Sequence, residues 1–342
     1  MKLKNYFAVF YEREYRPAYI FRIPIYFIGL YFAIKAKHPR FFSLVNPSVP
    51  WWFMNESKSL VYQLLCNPVY PQSVIIEIPS SLFVIITSIN SEKMKFPLII
   101  KPDWDSVRWE NVYMISDEKD LERRISMLPR WKYLLQKYID GEEYSIYYAH
   151  HPNDKQWVVL GITKKIFPTL LGDGYSTVWE LIKNHKRYRR YYTLFHDKYH
   201  VDMIEVIPKG IVKQIASIGN HSKWSLFLDW SHYSSDILTT IFDWLFKSDE
   251  EIYLYRVDLK TENRDQLLLW KFVILEANCG VFAEPTYMYD PKYKLIDAYK
   301  QIYKVRKIAF DISKYHHDVK KYSYISFQEW WRYAKKFLFC HF

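Results

Sequence analysis

The spacing of apolar and polar residues predicts strands and helices in mixed order along most of the chain. ESKSLVYQLL (56–65) has a helical pattern with Ser57 as its N-cap, where a hydroxyl can accept a backbone N–H of the first turn. PQSVIIEI (71–78) and FPLIIKPD (96–103) read as strands, the second buried and ending in charge, with a short helix over SSLFVIITSIN (80–90) between them. SDEKDLERRI (116–125) reads as a helix capped by Ser116, with acids in the first turn where the helix dipole favours them. Three strands follow, KYLLQKYI (132–139), EYSIYYAHH (143–151) and QWVVLGIT (156–163). A helix over STVWELIKNH (176–185) and an amphipathic one over SSDILTTIFDWLF (234–246) come next. EIYLYRVDL (251–259) and KFVILEAN (271–278) are strands joined by a hairpin-like connection. Helices close the chain over roughly 293–313 and from Ser326, where Glu329 completes a capping box. This order predicts an α+β protein with more than one sheet.

Composition narrows the function classes. Half of the 342 residues are hydrophobic, which a packed globular chain needs and a disordered one lacks. The three cysteines, Cys66, Cys279 and Cys340, are sparse and unpatterned, which argues against a disulfide framework or a zinc site and for a reducing compartment. The apolar run IPIYFIGLYFAI (23–34) has twelve residues against the ~20 of a spanning helix. It reads as a buried first helix, with shallow membrane contact through its aromatics as the alternative. The expected location is cytoplasmic. The net charge of +11 raises the question of nucleic acid, but only KNHKRYRRYY (183–192) is dense in Lys and Arg, and the remainder are scattered. That distribution argues against a polynucleotide partner and suits a phosphorylated small molecule.

The chemistry concentrates at two strands. In LEANCG (275–280), Glu276 and Asn278 are two residues apart, so they project from one face, as do Arg256 and Asp258 in YRVDLK. If these strands pair, Asp258, Glu276 and Asn278 offer three hard oxygen donors, the set that suits Mg²⁺ between nucleotide phosphates. Arg256 on the same face can clamp a phosphoryl group or a tetrahedral intermediate. Upstream, Lys101 ends a buried strand, a costly place for a charge without an anion. The stretch QKYIDGEE (136–143) can offer backbone groups to an adenine edge and Glu143 to ribose hydroxyls.

With these motifs in this order, the sequence resembles the ATP-grasp superfamily, in its D-alanine–D-alanine ligase-like and cyanophycin-synthetase-like branches. The resemblance runs from about Ser57 to Pro291. It implies a nucleotide held between two α+β lobes: an N-terminal lobe over 1–66, a first subdomain over 67–140, a second with the metal site over 141–292, and C-terminal helices over 293–342. It further implies Lys101 and, by a looser match, Lys58 on the phosphates, and Gln136, Lys137, Tyr138 and Ile139 around the base. Glu143 falls to the ribose. GDGYSTVWELI (172–182) is similar to a segment that follows a Lys-bearing strand, implying Lys165, with Lys164 as the lesser choice, as a further phosphate-side cation. Asp258, Glu276 and Asn278 become Mg²⁺ ligands (Mn²⁺ being the other candidate), with Arg256 catalytic. GNHSKW (219–224), AEPTYMYDP (283–291) and NPSVPWWFMNESK (46–58) resemble strings of an uncharacterised subfamily. The implied reaction is an ATP- and Mg²⁺-dependent joining of a small-molecule carboxylate to an amine through an acyl phosphate.

One segment departs from that pattern. KPDWDSVRWENV (101–112) replaces a glycine-rich phosphate loop, with Trp109 and Asn111 at two glycine positions and Arg108 where the loop arginine stands. Glycines there let backbone N–H groups approach an anion. Two other readings therefore stand beside the ligase: a degenerate nucleotide-binding pseudoenzyme, and a basic binder of nucleic acid or membrane surfaces.

Overall fold

The structure is a computed structural model that describes residues 18–49, 57–66, 69–103, 112–153, 157–190, 195, 202–216, 225–246, 249–280 and 284–339. Arg108 and the departing loop over 104–111, all of GNHSKW, and Trp51 and Trp52 of NPSVPWWFMNESK lie outside the described residues. In chain order the elements begin α1 (Ala18–Lys35), α2 (Lys58–Leu64), β1 (Ser73–Glu77), α3 (Leu82–Ser91), β2 (Leu98–Pro102) and β3 (Tyr113–Ile115). They continue α4 (Glu118–Ile125), β4 (Lys132–Lys137), β5 (Glu142–His150), β6 (Trp157–Ile166), β7 (Thr169–Leu171) and α5 (Val178–Asn184). The remainder are β8 (Val212–Gln214), β9 (Leu226–Asp229), α6 (Asp236–Asp243), β10 (Leu254–Thr261), α7 (Arg264–Leu268), β11 (Val273–Asn278), α8 (Leu295–Asp318) and α9 (Phe327–Phe339). The fold class is α+β, as the sequence pattern predicts.

The chain forms two compact units, one of residues 1–164 and 229–342 and one of residues 165–228. In the larger unit, β1, β4, β2 and β3 make a four-stranded antiparallel sheet in that order. Its apolar face packs on α3 and α4 through Ile85, Ile89, Leu98, Ile100, Leu121 and Leu135. A five-stranded sheet runs β11-β10-β5-β6-β9, in which β10 lies between β11 and β5 and is antiparallel to both. Its core joins Val61 and Tyr62 of α2, Ile241 and Phe242 of α6, and Val257 and Ile274 of the sheet. On a separate cluster, Phe32 of α1 stacks on Phe310 of α8 with centroids 5.2 Å apart. Full burial of such a ring stabilises by ~1.5–3 kcal/mol.

The helix starts follow local chemistry. Ser57, Ser81 and Ser235 each accept a first-turn N–H, and Ser326 with Glu329 closes the expected capping box. Helix α4 differs from expectation. Its N-cap is Asp117, whose carboxylate accepts the N–H of Asp120, because a carboxylate outcompetes the neighbouring Ser116 hydroxyl next to the helix dipole. The link from β10 to β11 is not a simple hairpin either, since Asn263 caps the short helix α7 within it. The first helix is also not buried all round: Ile25 and Phe32 face the core, but Tyr26, Phe27 and Ile34 are about 70% exposed.

The smaller unit has its own core, with Leu170, Val178, Ile182, Phe195 and Ile207 between the β7–β8 pair and α5. Thr177 and Glu180 form a capping box at α5. The GDG segment runs beside residues 207–211, with the Gly172 and Gly174 N–H groups donating to the Ile211 and Ile207 carbonyl oxygens at 2.8 and 3.2 Å. A Cβ on Gly172 would lie 2.2 Å from the Pro208 carbonyl oxygen, so only glycine fits.

Candidate active site

The register of β10 against β11 decides what meets. Asp258 lies directly opposite Glu276, and Arg256 directly opposite Asn278. Opposed residues carry their side chains on one face with Cβ atoms about 5 Å apart. The structure therefore gathers all four side chains on one patch of the five-stranded sheet. A bulge follows Asp258, so the register that aligns these pairs ends there.

Each of the four is held differently. Asp258 is 2% exposed and accepts a short hydrogen bond from the Ser145 hydroxyl of β5. Its carboxylate also lies 3.4 Å from Nε of Arg256. Arg256 in turn donates to the Glu284 carbonyl oxygen at 3.3 Å. Burial works against the guanidinium charge, but Asp258 and then Glu276 outweigh it and raise the Arg256 pKa above its ordinary value. Arg256 stays cationic throughout the working pH range. Glu276 is more open than Asp258, with a side chain 16% exposed against 3%, and Nζ of Lys58 lies 4.0 Å away.

Two lysines from other elements reach this patch. Lys101, at the end of β2 in the four-stranded sheet, is 3% exposed and donates to the Leu275 carbonyl oxygen at 2.8 Å and the Tyr62 hydroxyl at 3.2 Å. Tyr62 itself donates to the Leu275 carbonyl at 2.6 Å and accepts from Gln136 at 3.3 Å, so α2, β2, β4 and β11 are laced together here. Both oxygens that receive the Lys101 ammonium are uncharged. Burial lowers its pKa from 10.5 to about 8, against the opposing pull of Glu276 and Asp103. Lys58 is shifted the same way, by burial first. Its backbone N–H donates to the Asp103 carbonyl oxygen at 3.0 Å, and the Asp103 carboxylate accepts from the flanking Ser57 and Ser59 hydroxyls at 2.8 and 3.0 Å. Two buried ammonium groups near a carboxylate pair form a site for a ligand with several negative charges.

The segment joining β4 to β5 is less uniform. Glu143 is 2% exposed and sits opposite Lys260 in the register. Lys260 donates to the Ile139 carbonyl at 2.9 Å and lies 4.9 Å from the Tyr138 ring centroid. Lys137, in contrast, has an exposed side chain, on the opposite face of β4 from Gln136, and the structure does not bring it to the patch. Lys165 is 4% exposed, 5.7 Å from the Phe227 ring, and belongs to the smaller unit, whereas Lys164 pairs with Glu142 in the larger one. Gly141 makes the turn possible: its φ is +120°, and a Cβ would lie 2.4 Å from the Thr261 carbonyl oxygen.

Lys260, Tyr62 and Ser145 are site residues that sequence reasoning missed. Alternation alone could have found Lys260, since Arg256, Asp258 and Lys260 share one face of the strand. Tyr62 and Ser145 depend on contacts across elements and left no sequence signal.

Among the described residues no three His, Cys, Asp or Glu side chains form a metal cluster. The candidate set is instead two carboxylates and an amide. Nδ2 of Asn278 is buried without a hydrogen-bond partner, so no bond within the protein fixes which amide atom faces the patch. Oxygen donors of this kind suit Mg²⁺ or Mn²⁺ and do not suit a thiophilic metal. The residues present fit such an ion.

No protein-family model matches the chain, and no curated protein matches its sequence. Solved structures do. The VanG D-Ala:D-Ser ligase from Enterococcus faecalis is similar at 13% identity and a TM-score of 0.41, covering 77% of this chain and 63% of its own. A D-alanine–D-alanine ligase from Bacillus anthracis is similar at 14% identity and a TM-score of 0.38, covering 79% and 67%. A bifunctional glutathione synthetase from Pasteurella multocida is similar at 15% identity and a TM-score of 0.35, covering 78% and 36%. The chain thus spans about a third to two thirds of the length of these proteins.

Proposed function

We propose that the chain is an ATP-grasp ligase that activates a small-molecule carboxylate with ATP and joins it to an amine. The observation that carries this reading is the β10–β11 register, which sets Asp258 opposite Glu276 and Arg256 opposite Asn278 within reach of Lys58 and Lys101. Asp258, Glu276 and Asn278 would hold Mg²⁺, which when bound neutralises phosphate charge and polarises the transferred phosphoryl group.

The protein's own residues divide the rest of the work. Lys101 and Lys58 bind phosphate oxygens, exchanging uncharged or distant partners for an anion that their burial makes worth more than in water. Arg256, kept cationic by Asp258, stabilises the charge that builds on the carboxylate carbon's oxygen as the amine attacks the acyl phosphate. Lys260 orders the Ile139 carbonyl beside the space for the base, and Glu143 is placed for ribose hydroxyls. No side chain need act as a nucleophile, because the substrate carboxylate attacks the γ-phosphorus and the amine then displaces phosphate.

The test is ADP release measured across panels of carboxylates and amines with Mg²⁺–ATP. Carboxylate-dependent turnover that disappears in Glu276→Gln supports the reading. Tight Mg²⁺–ATP binding without turnover under any substrate pair would leave a nucleotide-binding protein, and no nucleotide binding at all would overturn the site.

A further inference from the structure

Helix α1 packs one side on the protein: Ile25 is buried with Met288, Ala298 and Ile302, and Phe32 is buried against Phe310. Its other side is apolar too. Tyr26, Phe27, Leu30, Tyr31 and Ile34 are 70%, 69%, 58%, 49% and 69% exposed, and their spacing puts them on one face over consecutive turns. Large apolar side chains scattered singly over a surface need no explanation, but a contiguous row of five does. Nearby, Tyr303 of α8, 43% exposed, approaches Tyr31 with ring centroids 6.5 Å apart and widens the patch.

Charge selects the occupant. Helix α1, AYIFRIPIYFIGLYFAIK, has no acidic residue and ends in Lys35. Among residues 1–40, eight Lys and Arg stand against two Glu, so this short stretch holds more than half of the chain's net charge of +11. A second copy would bring a surface of the same sign, whereas anionic headgroups complement it. No helix among the described residues is long and apolar enough to cross a membrane. An aromatic face followed directly by the exposed Lys35 and Lys37 can instead lie in the interface, with tyrosine rings at the acyl boundary and their hydroxyls among headgroups.

We infer that the outer face of α1 docks the protein on an anionic lipid surface. This inference is independent of the ligase reading. Full-length protein is sedimented with vesicles of phosphatidylcholine alone and with vesicles that also contain phosphatidylglycerol, at low and high salt. The expected result is retention on the mixed vesicles about tenfold above the neutral ones, falling as salt rises. The triple variant Phe27→Ser, Leu30→Ser, Ile34→Ser should lose that retention about tenfold with an unchanged melting temperature. Lys35→Gln with Lys37→Asn should lose it several-fold, asparagine being chosen because Lys37 has φ of 54°. No retention on either vesicle, or equal retention of the triple variant, overturns the inference. A concentration-dependent dimer that the triple variant dissolves, without vesicle retention, overturns it in favour of a second copy.

Discussion

The β10–β11 patch and the outer face of α1 break the usual partition of residues in opposite senses. The first buries Lys58, Lys101, Glu143 and Asp258, each no more than 6% exposed; the second leaves Phe27 and Ile34 at 69%. Buried charge and exposed apolar surface both cost free energy in the isolated chain, by desolvation in one case and by hydration of hydrocarbon in the other. The contrast separates two kinds of partner. A cluster of buried ammonium groups and carboxylates is completed by a polyanion with a cation, and an exposed apolar row by something that removes it from water. Neither region is explained by the stability of the fold, and substitutions should therefore affect function and folding differently in each.

The largest effect is expected at the patch. Glu276→Gln should reduce ligase turnover by roughly a hundred- to a thousandfold, because it weakens the charge set around phosphate, while its melting temperature moves little. Asp258→Asn should lose activity equally and also unfold more readily, since it leaves the buried Arg256 charge uncompensated at a cost of ~3–5 kcal/mol. Parallel activity and denaturant titrations distinguish the two. Equal stability loss in both variants would remove the distinction drawn between an open ligand and a buried one.

Within the fold, core and outer face of α1 should diverge. Phe32→Ala should cost ~3–5 kcal/mol, but Phe27→Ser should stay within ~0.5 kcal/mol, as judged by urea midpoints. Gly141→Ala should cost more than ~2 kcal/mol, from a strained φ and contact with the Thr261 carbonyl.

Lys101 gives a pH signature. Its folded pKa, about 8, lies below the 10.5 of the unfolded chain, so the unfolded state binds more protons between those values. The ligand-free protein is thus burdened by its buried charge below pH 8, by an amount on the order of 3 kcal/mol, and this penalty is relieved as pH rises from 8 toward 10.5. Lys101→Met should abolish the thermal shift caused by Mg²⁺–ATP and yet raise the ligand-free melting temperature at pH 7. Nucleotide binding by the unmodified protein should weaken as pH rises through about 8, with proton uptake measurable by calorimetry in buffers of different ionisation enthalpy.

The sequence was most informative where one periodicity has one structural solution. Alternation in YRVDLK and LEANCG puts Arg256 with Asp258 and Glu276 with Asn278 whatever the strands pair with, and the Ser57 and Ser326 caps mark the starts of their helices. It was least informative where two solutions share a pattern. Helix α1 is apolar on both sides, so periodicity could not distinguish a buried helix from one with an exposed face. Asp117 and Ser116 are adjacent and both good caps, so the pattern alone does not choose between them. Strands β7 and β8, of three residues each, are too short to show alternation. Tyr62 reached the site through α2, an element whose place beside β11 comes from long-range packing.

The central claim is that Asp258, Glu276 and Asn278 share one divalent cation. Its most direct test is Mn²⁺ binding followed by electron paramagnetic resonance in the presence of ATP, on the unmodified protein and on Glu276→Gln and Asn278→Leu. Immobilised Mn²⁺ that requires ATP and is lost from both variants is the predicted result. Mn²⁺ and ATP bound with unchanged affinity in both variants would contradict it.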